Sequence, residues 1–558
     1  MIVRSFATRA LLAALGIALA TSFIATWELN RVAPARSINL QASSINTKTS
    51  HSLGAALFAF GDFGAIDLDT LETSAMPWPV LVAVVALAQS NGQASKVEWA
   101  GVVAAFKRFG FLYPDAILGQ PALRPSRQVP LGFSLGIVER TLPPLRLSAI
   151  NISCAACHAG PSYAPDGTPD PTTAVLGRPN TALNLEAFSQ SVYGALKAGL
   201  ASETVLFDAI ARLFPDMTLR ERLTLKWVAV PRARQRLAEL ASSLDKPLPF
   251  NNGAPGLTNG VGALKSRLGV TRRDRYDASA GFVSIPDLAD RAFRSAFLAD
   301  GAYAAKQTER FRPITRAEAE ARDSKPLAAV ASFFMVPSMG LAPRRTEAAI
   351  PELTAVIDYL KASRPSRFPG PVNATAAAAG RDVYARACAS CHGTYDASMT
   401  EPRLLSFPNW AGDVGTDPSR LDVFNTPLKD AIDKTGHGQR FIDAAVTRKV
   451  AAPLLSGVWA SAPYFTNGSV PTLRHLLVPQ SRPVRFMTGG HRLSMTDIGI
   501  DGVMREGAWV FPKGYRVYSQ PVLIDTTTPG LSNRGHDNEV EGLTASERDN
   551  LLEYLKLL

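Results

Sequence analysis

The pattern C-x-x-C-H occurs twice in this chain, as Cys154-Ala-Ala-Cys157-His158 and as Cys388-Ala-Ser-Cys391-His392. Two thiols separated by two residues can each form a thioether to one vinyl group of the same porphyrin. The histidine that follows is then held under the iron as its proximal ligand. The chain has four cysteines, all in these two motifs, so none is left for a disulfide framework or a separate redox centre. The rival readings of C-x-x-C are a zinc half-site and a thioredoxin-like dithiol. A zinc site brings further Cys or His close by, and a dithiol has no need of a following His. Two copies that use every cysteine favour two covalently bound c-type haems, attached through Cys154, Cys157, Cys388 and Cys391 and ligated by His158 and His392.

At 558 residues the chain is long enough for two to four domains. Hydrophobic residues make up 46% of it, ample for buried cores, and 40 Pro with 41 Gly imply long irregular connections between helices. The formal charge is +11, but no basic run carries interleaved aromatics, which argues against a nucleic-acid partner. The N-terminus has the form of an export signal. Arg4 and Arg9 precede a charge-free run over 10–27, and Ala18-Leu19-Ala20 offers a cleavage site. The run is also near the lower length limit of a membrane span. A signal peptide or inner-membrane anchor over 1–28, followed by a tether over 29–50, puts the body in the periplasm or outside the cell.

Residues 51–365 are expected to form an N-terminal haem domain and 374–558 a C-terminal cytochrome c domain. Between them Arg364-Pro-Ser-Arg-Phe-Pro-Gly-Pro371 cannot continue a helix. Trp78 to Leu87 is apolar but too short to cross a bilayer, and predicts a buried helix. The stretch 246–277, with several Gly and Asn, reads as loop. Leu353, Val356, Ile357 and Leu360 share one helix face. An alanine-rich helix over 374–387 feeds the second motif, and Thr544 with Glu547 predicts a capping box at the start of the last helix. The fold expected is mostly α: two tandem cytochrome c-like haem domains with long loops and few short strands.

Internal similarity supports the tandem arrangement. Pro286, Leu288, Phe297, Asp300 and Gly301 align without gaps on Pro453, Leu455, Tyr464, Asn467 and Gly468. Setting Tyr359 against Tyr554 and reading back places Glu352 on Glu547, Gly340 on Gly535 and Leu341 on His536. A histidine at 536 can bind iron, and a leucine at 341 cannot. The second haem is therefore expected to have His392 and His536 as axial ligands, and the first His158 with an open sixth position. Met335 and Met339 lie near the Leu341 position, and either thioether is an alternative that closes the first site and leaves a pure electron-transfer protein. A gas sensor without turnover is a third alternative. Trp459 and Trp227 are candidates for an electron relay.

The segment Ser461-Ala-Pro-Tyr-Phe-Thr-Asn-Gly-Ser-Val-Pro-Thr-Leu473, the two C-x-x-C-H motifs, Arg534-Gly-His536-Asp before a terminal helix with Glu553-Tyr-Leu-Lys, and Val129-Pro-Leu-Gly-Phe133 resemble the rubber oxygenase A-like dihaem cytochromes. These belong to the wider bacterial dihaem cytochrome c peroxidase superfamily, and the resemblance covers roughly 106–558. It implies a mostly helical fold, an N-terminal haem that binds oxygen and a C-terminal bis-histidine haem. It also implies an oxygen pocket with a phenylalanine, for which Phe282 is the nearest match. Family members act on dioxygen or hydrogen peroxide, with an isoprenoid substrate in the oxygenases and a small redox-protein donor in the peroxidases. Some relatives hold a calcium ion between domains, which the resemblance allows here.

Overall fold

The computed structural model describes residues 36–39, 50–66, 74–141, 144–272 and 274–558. The expected export segment over 1–28, and nearly all of the tether after it, lie outside the described residues. No helix among the described residues is long and apolar enough to cross a membrane.

The architecture is mixed α and β, which corrects the expectation of a mostly helical chain with few strands. Among the described residues 22 strands form eight small sheets, interleaved with the helices. The prolines and glycines read as punctuation of long loops are largely turns between short strands. The first motif lies within β structure. Phe133–Arg140 pairs antiparallel with Leu145–Ile152 just before it, and Ala159–Tyr163 pairs with Pro169–Leu176 just after it.

The tandem division also needs correction, because strands pair across the boundary drawn at 365–374. Tyr303–Ala305 runs antiparallel to Ile442–Ala444, and Ile314–Thr315 pairs with Leu404–Phe407. Each of these sheets takes strands from both halves, so two self-contained cytochrome modules in series are not what the chain forms. What does repeat is local. Phe297 bridges Tyr303 as Tyr464 bridges Val470, and the turns between them carry left-handed φ at Leu298 and Gly301 as at Phe465 and Gly468.

The helices set the cores around this framework. Trp78–Gln89 is buried from Trp78 through Leu87, as its uninterrupted apolar sequence requires, and it packs against Leu185–Gly199 and Glu203–Leu213. Ile350–Ala362 buries Leu353, Val356 and Leu360 against Ser50–Phe60 and Ser324–Phe333. Ala374–Ala387 crosses the last helix, Ala545–Leu555. Gly380 permits that crossing, since a Cβ there would come within 1.9 Å of the Asn550 carbonyl oxygen. Thr544 and Glu547 form the expected capping box. The stretch 246–277, read as loop, contains a helix over Gly260–Arg267, with the Asn259 side chain capping its first turn.

Candidate functional site

The first motif is a short helix, Cys154–His158, wedged between two cores. Cys154 packs with the cluster of Ala155, Ala159, Met335, Met339 and Leu341. Cys157 packs with the cluster of Ala156, Phe133 and Leu183. Three bonds seat the approach to it. Asn151 donates from Nδ2 to the Met339 carbonyl at 2.9 Å. The Ser153 hydroxyl donates to Gly61 O at 2.8 Å, and the Ser153 amide to Gly132 O at 2.6 Å. Gly132 has φ +84°, and a Cβ there would lie 1.9 Å from the Ala156 amide nitrogen, so only glycine fits beside the motif. This Gly132 belongs to the Val129–Phe133 stretch singled out in the sequence.

The His158 Nδ1 lies 3.1 Å from the Pro286 carbonyl oxygen. A carbonyl can only accept, so Nδ1 carries the proton and Nε2 is left with its lone pair. That is the tautomer a histidine needs to bind iron, fixed by an outer partner. The second motif repeats the arrangement. The His392 Nδ1 lies 2.9 Å from the Pro453 carbonyl oxygen, and Pro453 is the residue that aligns with Pro286. The helix Ala374–Ala387 runs straight into Cys388, and Tyr384 donates its hydroxyl hydrogen to Gly393 O at 3.0 Å.

His536 faces His392. Their ring centres are 6.3 Å apart and their planes differ by 26°. A histidine nitrogen sits about 2.0 Å from a bound metal and its ring centre roughly 1.1 Å behind it, so two histidines on opposite sides of one metal ion have ring centres about 6.2 Å apart. The separation of the observed pair matches that spacing. The backbone of His536 is left-handed, φ 60°, and its amide donates to Val414 O at 2.8 Å. The buried side chain of Arg482 braces this loop. Its guanidinium donates to Asn533 O at 2.8 Å, Gly535 O at 2.9 Å and the Asp537 carboxylate at 2.8 Å, and lies 5.1 Å from the Phe465 ring centre. Phe465 stacks on His536, with ring centres 5.6 Å apart. Nothing in the spacing of the sequence marked Arg482. A lone arginine between two prolines carries no signal until the loop it ties is seen.

The electrostatics suit neutral ligands. Burial pushes His158 down to about 4, helped by the nearby Arg291 and opposed by the Pro286 bond. Burial also pushes His536 down to about 4, with His392 and Arg482 adding to the effect. His392 is lowered by burial too. All three rings nevertheless keep some accessible surface, as groups bordering an internal space do. Burial raises the thiols, Cys154 to about 11 and Cys157 and Cys388 to about 12. No group of three or more His, Cys, Asp or Glu side chains placed to hold a metal ion occurs among the described residues, so no calcium position emerges.

The other expected residues fall differently. Leu341 packs in the cluster that flanks Cys154, together with Met335 and Met339. Phe282 is buried, but its ring lies over Gly253 and Gly530, within 3.1 and 3.3 Å of where their Cβ atoms would be. Gly530 belongs to the loop tied by Asn467, so these neighbours are not residues of the first motif. Trp459 touches the Tyr163 ring at 6.0 Å, on the strand that follows His158, and Arg178 lies 4.8 Å from its ring centre. Trp227, by contrast, lies on the outer surface. Arg291 sits close enough to influence His158, on the chain that supplies Pro286.

Residues 450–487 match the family described as RoxA-like, cytochrome c-like. The matched segment holds Pro453, Phe465 and Arg482, which support His392 and His536. It supports haem c as the cofactor and a c-type cytochrome oxidoreductase as the class. Two relatives from Sinorhizobium fredii (strain NBRC 101917 / NGR234) are similar over longer stretches. The uncharacterized protein y4iM is 29% identical over 244 residues, 36% of this chain and 52% of y4iM. The uncharacterized protein y4iJ is 24% identical over 547 residues, 81% of this chain and 84% of y4iJ. The alignment thus spans about half the length of y4iM.

Proposed function

We propose that the chain is an exported c-type cytochrome with oxidoreductase activity, holding one haem at each C-x-x-C-H motif. In this reading Cys154 and Cys157 attach the first haem and Cys388 and Cys391 the second. His158 would hold the iron of the first, and His392 with His536 would hold that of the second. Haem iron supplies one-electron chemistry and, where an axial position is open, a place for dioxygen or peroxide. The observation that supports the reading most is the His392–His536 pair, with ring centres 6.3 Å apart and planes 26° from parallel.

The first site is the reactive one in this proposal. Pro286 holds His158 in the iron-binding tautomer, while Leu341 offers no ligand. The cluster that flanks Cys154 is apolar, Ala155, Ala159, Met335 and Met339 among its members, which favours a gas and an apolar substrate such as an isoprenoid. A small redox protein is the electron donor in this proposal, and the N-terminal run delivers the chain to the periplasm or beyond.

One observation favours a second reading, electron transfer alone. Met339 is buried in the cluster beside Cys154, and its carbonyl accepts from Asn151, three residues before the motif. A thioether from Met335 or Met339 would close the first site. Carbon monoxide separates the two readings. The reduced, haem-loaded protein should bind one equivalent per chain, and His536→Ala two, with a low-spin EPR signal lost. Binding of none by the parent protein would overturn the open first site and favour electron transfer.

A further inference from the structure

Eleven large apolar side chains are exposed among the described residues, and four of them fall within ten residues. They are Leu219, 71% exposed, Leu223, 47%, Trp227, 69%, and Val228, 42%. Leu219, Leu223 and Trp227 follow at steps of four, the spacing that keeps side chains on one helical face. They run from the helix Leu219–Thr224 into a π-helical turn over Leu225–Ala229, a rare geometry that often marks functional positions.

This face is fixed outward. On the inner side Glu221 accepts from the Ser148 amide at 2.8 Å, and Arg220 donates to Leu145 O at 2.9 Å. Both partners are on the strand Leu145–Ile152. Thr224 and Leu225 are buried there as well. Polar contacts on one side and core packing below leave the leucines and the tryptophan no way to turn in.

The charges around the face are mostly basic, although Glu203 lies 3.8 Å from Lys226 and 3.2 Å from Arg234, and Glu239 lies 3.3 Å from Arg236. From 217 to 238 the chain carries Arg220, Arg222, Lys226, Arg232, Arg234 and Arg236, and its single acid, Glu221, is buried. Lys226 lies 5.4 Å from the Trp227 ring centre, and Arg222, Lys226 and Arg232 are exposed. Protruding Leu and Trp between basic side chains suit an interface that is apolar below and anionic above. We infer that residues 219–232 form a docking face for an anionic lipid surface, with Leu219, Leu223 and Trp227 entering the acyl boundary. Arg222, Lys226 and Arg232 engage the headgroups. The face lies apart from both motifs, and the inference does not rest on the oxidoreductase reading.

The test uses the full, haem-loaded chain and vesicles of phosphatidylcholine with or without phosphatidylglycerol. Flotation should recover the protein with the anionic vesicles, and Arg222→Gln with Lys226→Gln and Arg232→Gln should weaken partitioning about a hundredfold, at about fivefold per basic side chain. Brominated lipid should quench a part of the tryptophan emission that Trp227→Phe removes, which distinguishes this face from any contribution of the N-terminal run. Unchanged haem spectra in the variants show that the fold is intact. Equal quenching in parent and Trp227→Phe, or equal partitioning of the triple variant, overturns the inference. So does a dimer that Leu223→Ser with Trp227→Ser abolishes, or binding to polyisoprene latex in place of vesicles.

Discussion

At the first motif His158 donates to the Pro286 carbonyl at 3.1 Å, and at the second His392 donates to that of Pro453 at 2.9 Å. The proximal sides are built alike, down to the aligned prolines. The opposite sides diverge. The second has a histidine whose loop is clamped by Arg482 and backed by Phe465. The first has Leu341 in an apolar cluster. On the proposed reading, a duplicated support with Leu341 at one site and His536 at the other would separate two jobs that one iron cannot do at once. A site filled from both sides is suited to passing electrons, and a site filled from one side is suited to binding a ligand.

The largest effect should come from removing attachment at one site only. Cys154→Ser with Cys157→Ser should leave one covalent haem per chain by pyridine haemochrome, and the Cys388, Cys391 pair changed likewise should leave the other. Loss of both haems from either double variant would break the picture of two independent attachments. The reciprocal ligand exchange probes the comparison more finely. Leu341→His should abolish carbon monoxide binding at the first site while His536→Ala creates it at the second. A folded Leu341→His protein that still binds one equivalent would show that position 341 does not face His158.

Arg482 is the next lever. Its buried guanidinium satisfies several carbonyls and one half-exposed carboxylate, and leaving a buried acceptor without its donor costs about 1–3 kcal/mol. Arg482→Met should lower thermal stability by that order and disturb the EPR signal of the second site, leaving carbon monoxide binding at the first unchanged. An unchanged second-site signal would mean that His536 is positioned without it.

How much of this was legible in the sequence follows from the range of each interaction. Covalent attachment is encoded within five residues, so both motifs stand out. The His536 pairing was reached by reading the repeat backwards from Tyr554, because helix and loop lengths are kept there. The sheets were missed because strands such as Tyr303–Ala305 are short and find partners more than a hundred residues away, and local periodicity carries no trace of that. The expected tandem modules failed for the same reason. The duplicated stretch around Pro286 and Pro453 is real as a local turn, but strand exchange across the boundary joins the halves. Trp227, a relay candidate in the sequence, lies on the surface; an aromatic residue in sequence does not announce whether it faces in or out.

The smallest expected effect concerns acid sensitivity, and it divides the two regions again. His475 and His491 both lie in the half that carries the second motif, and burial pushes each down to about 4. His491 is buried and its Nδ1 has no protein partner, so a proton there finds no acceptor. Below pH 6.5, the ordinary value for histidine, the unfolded chain takes up a proton that the folded chain refuses. Stability is therefore complete above about pH 6.5 and declines as the pH falls towards 4, where the folded state also protonates and the slope flattens. His491→Gln should make the decline of melting temperature between pH 6.5 and 4 shallower, because one of the groups that drives it is gone. A slope identical to that of the parent would assign the acid sensitivity to the other histidines that burial pushes down, His158, His392, His437, His475 and His536.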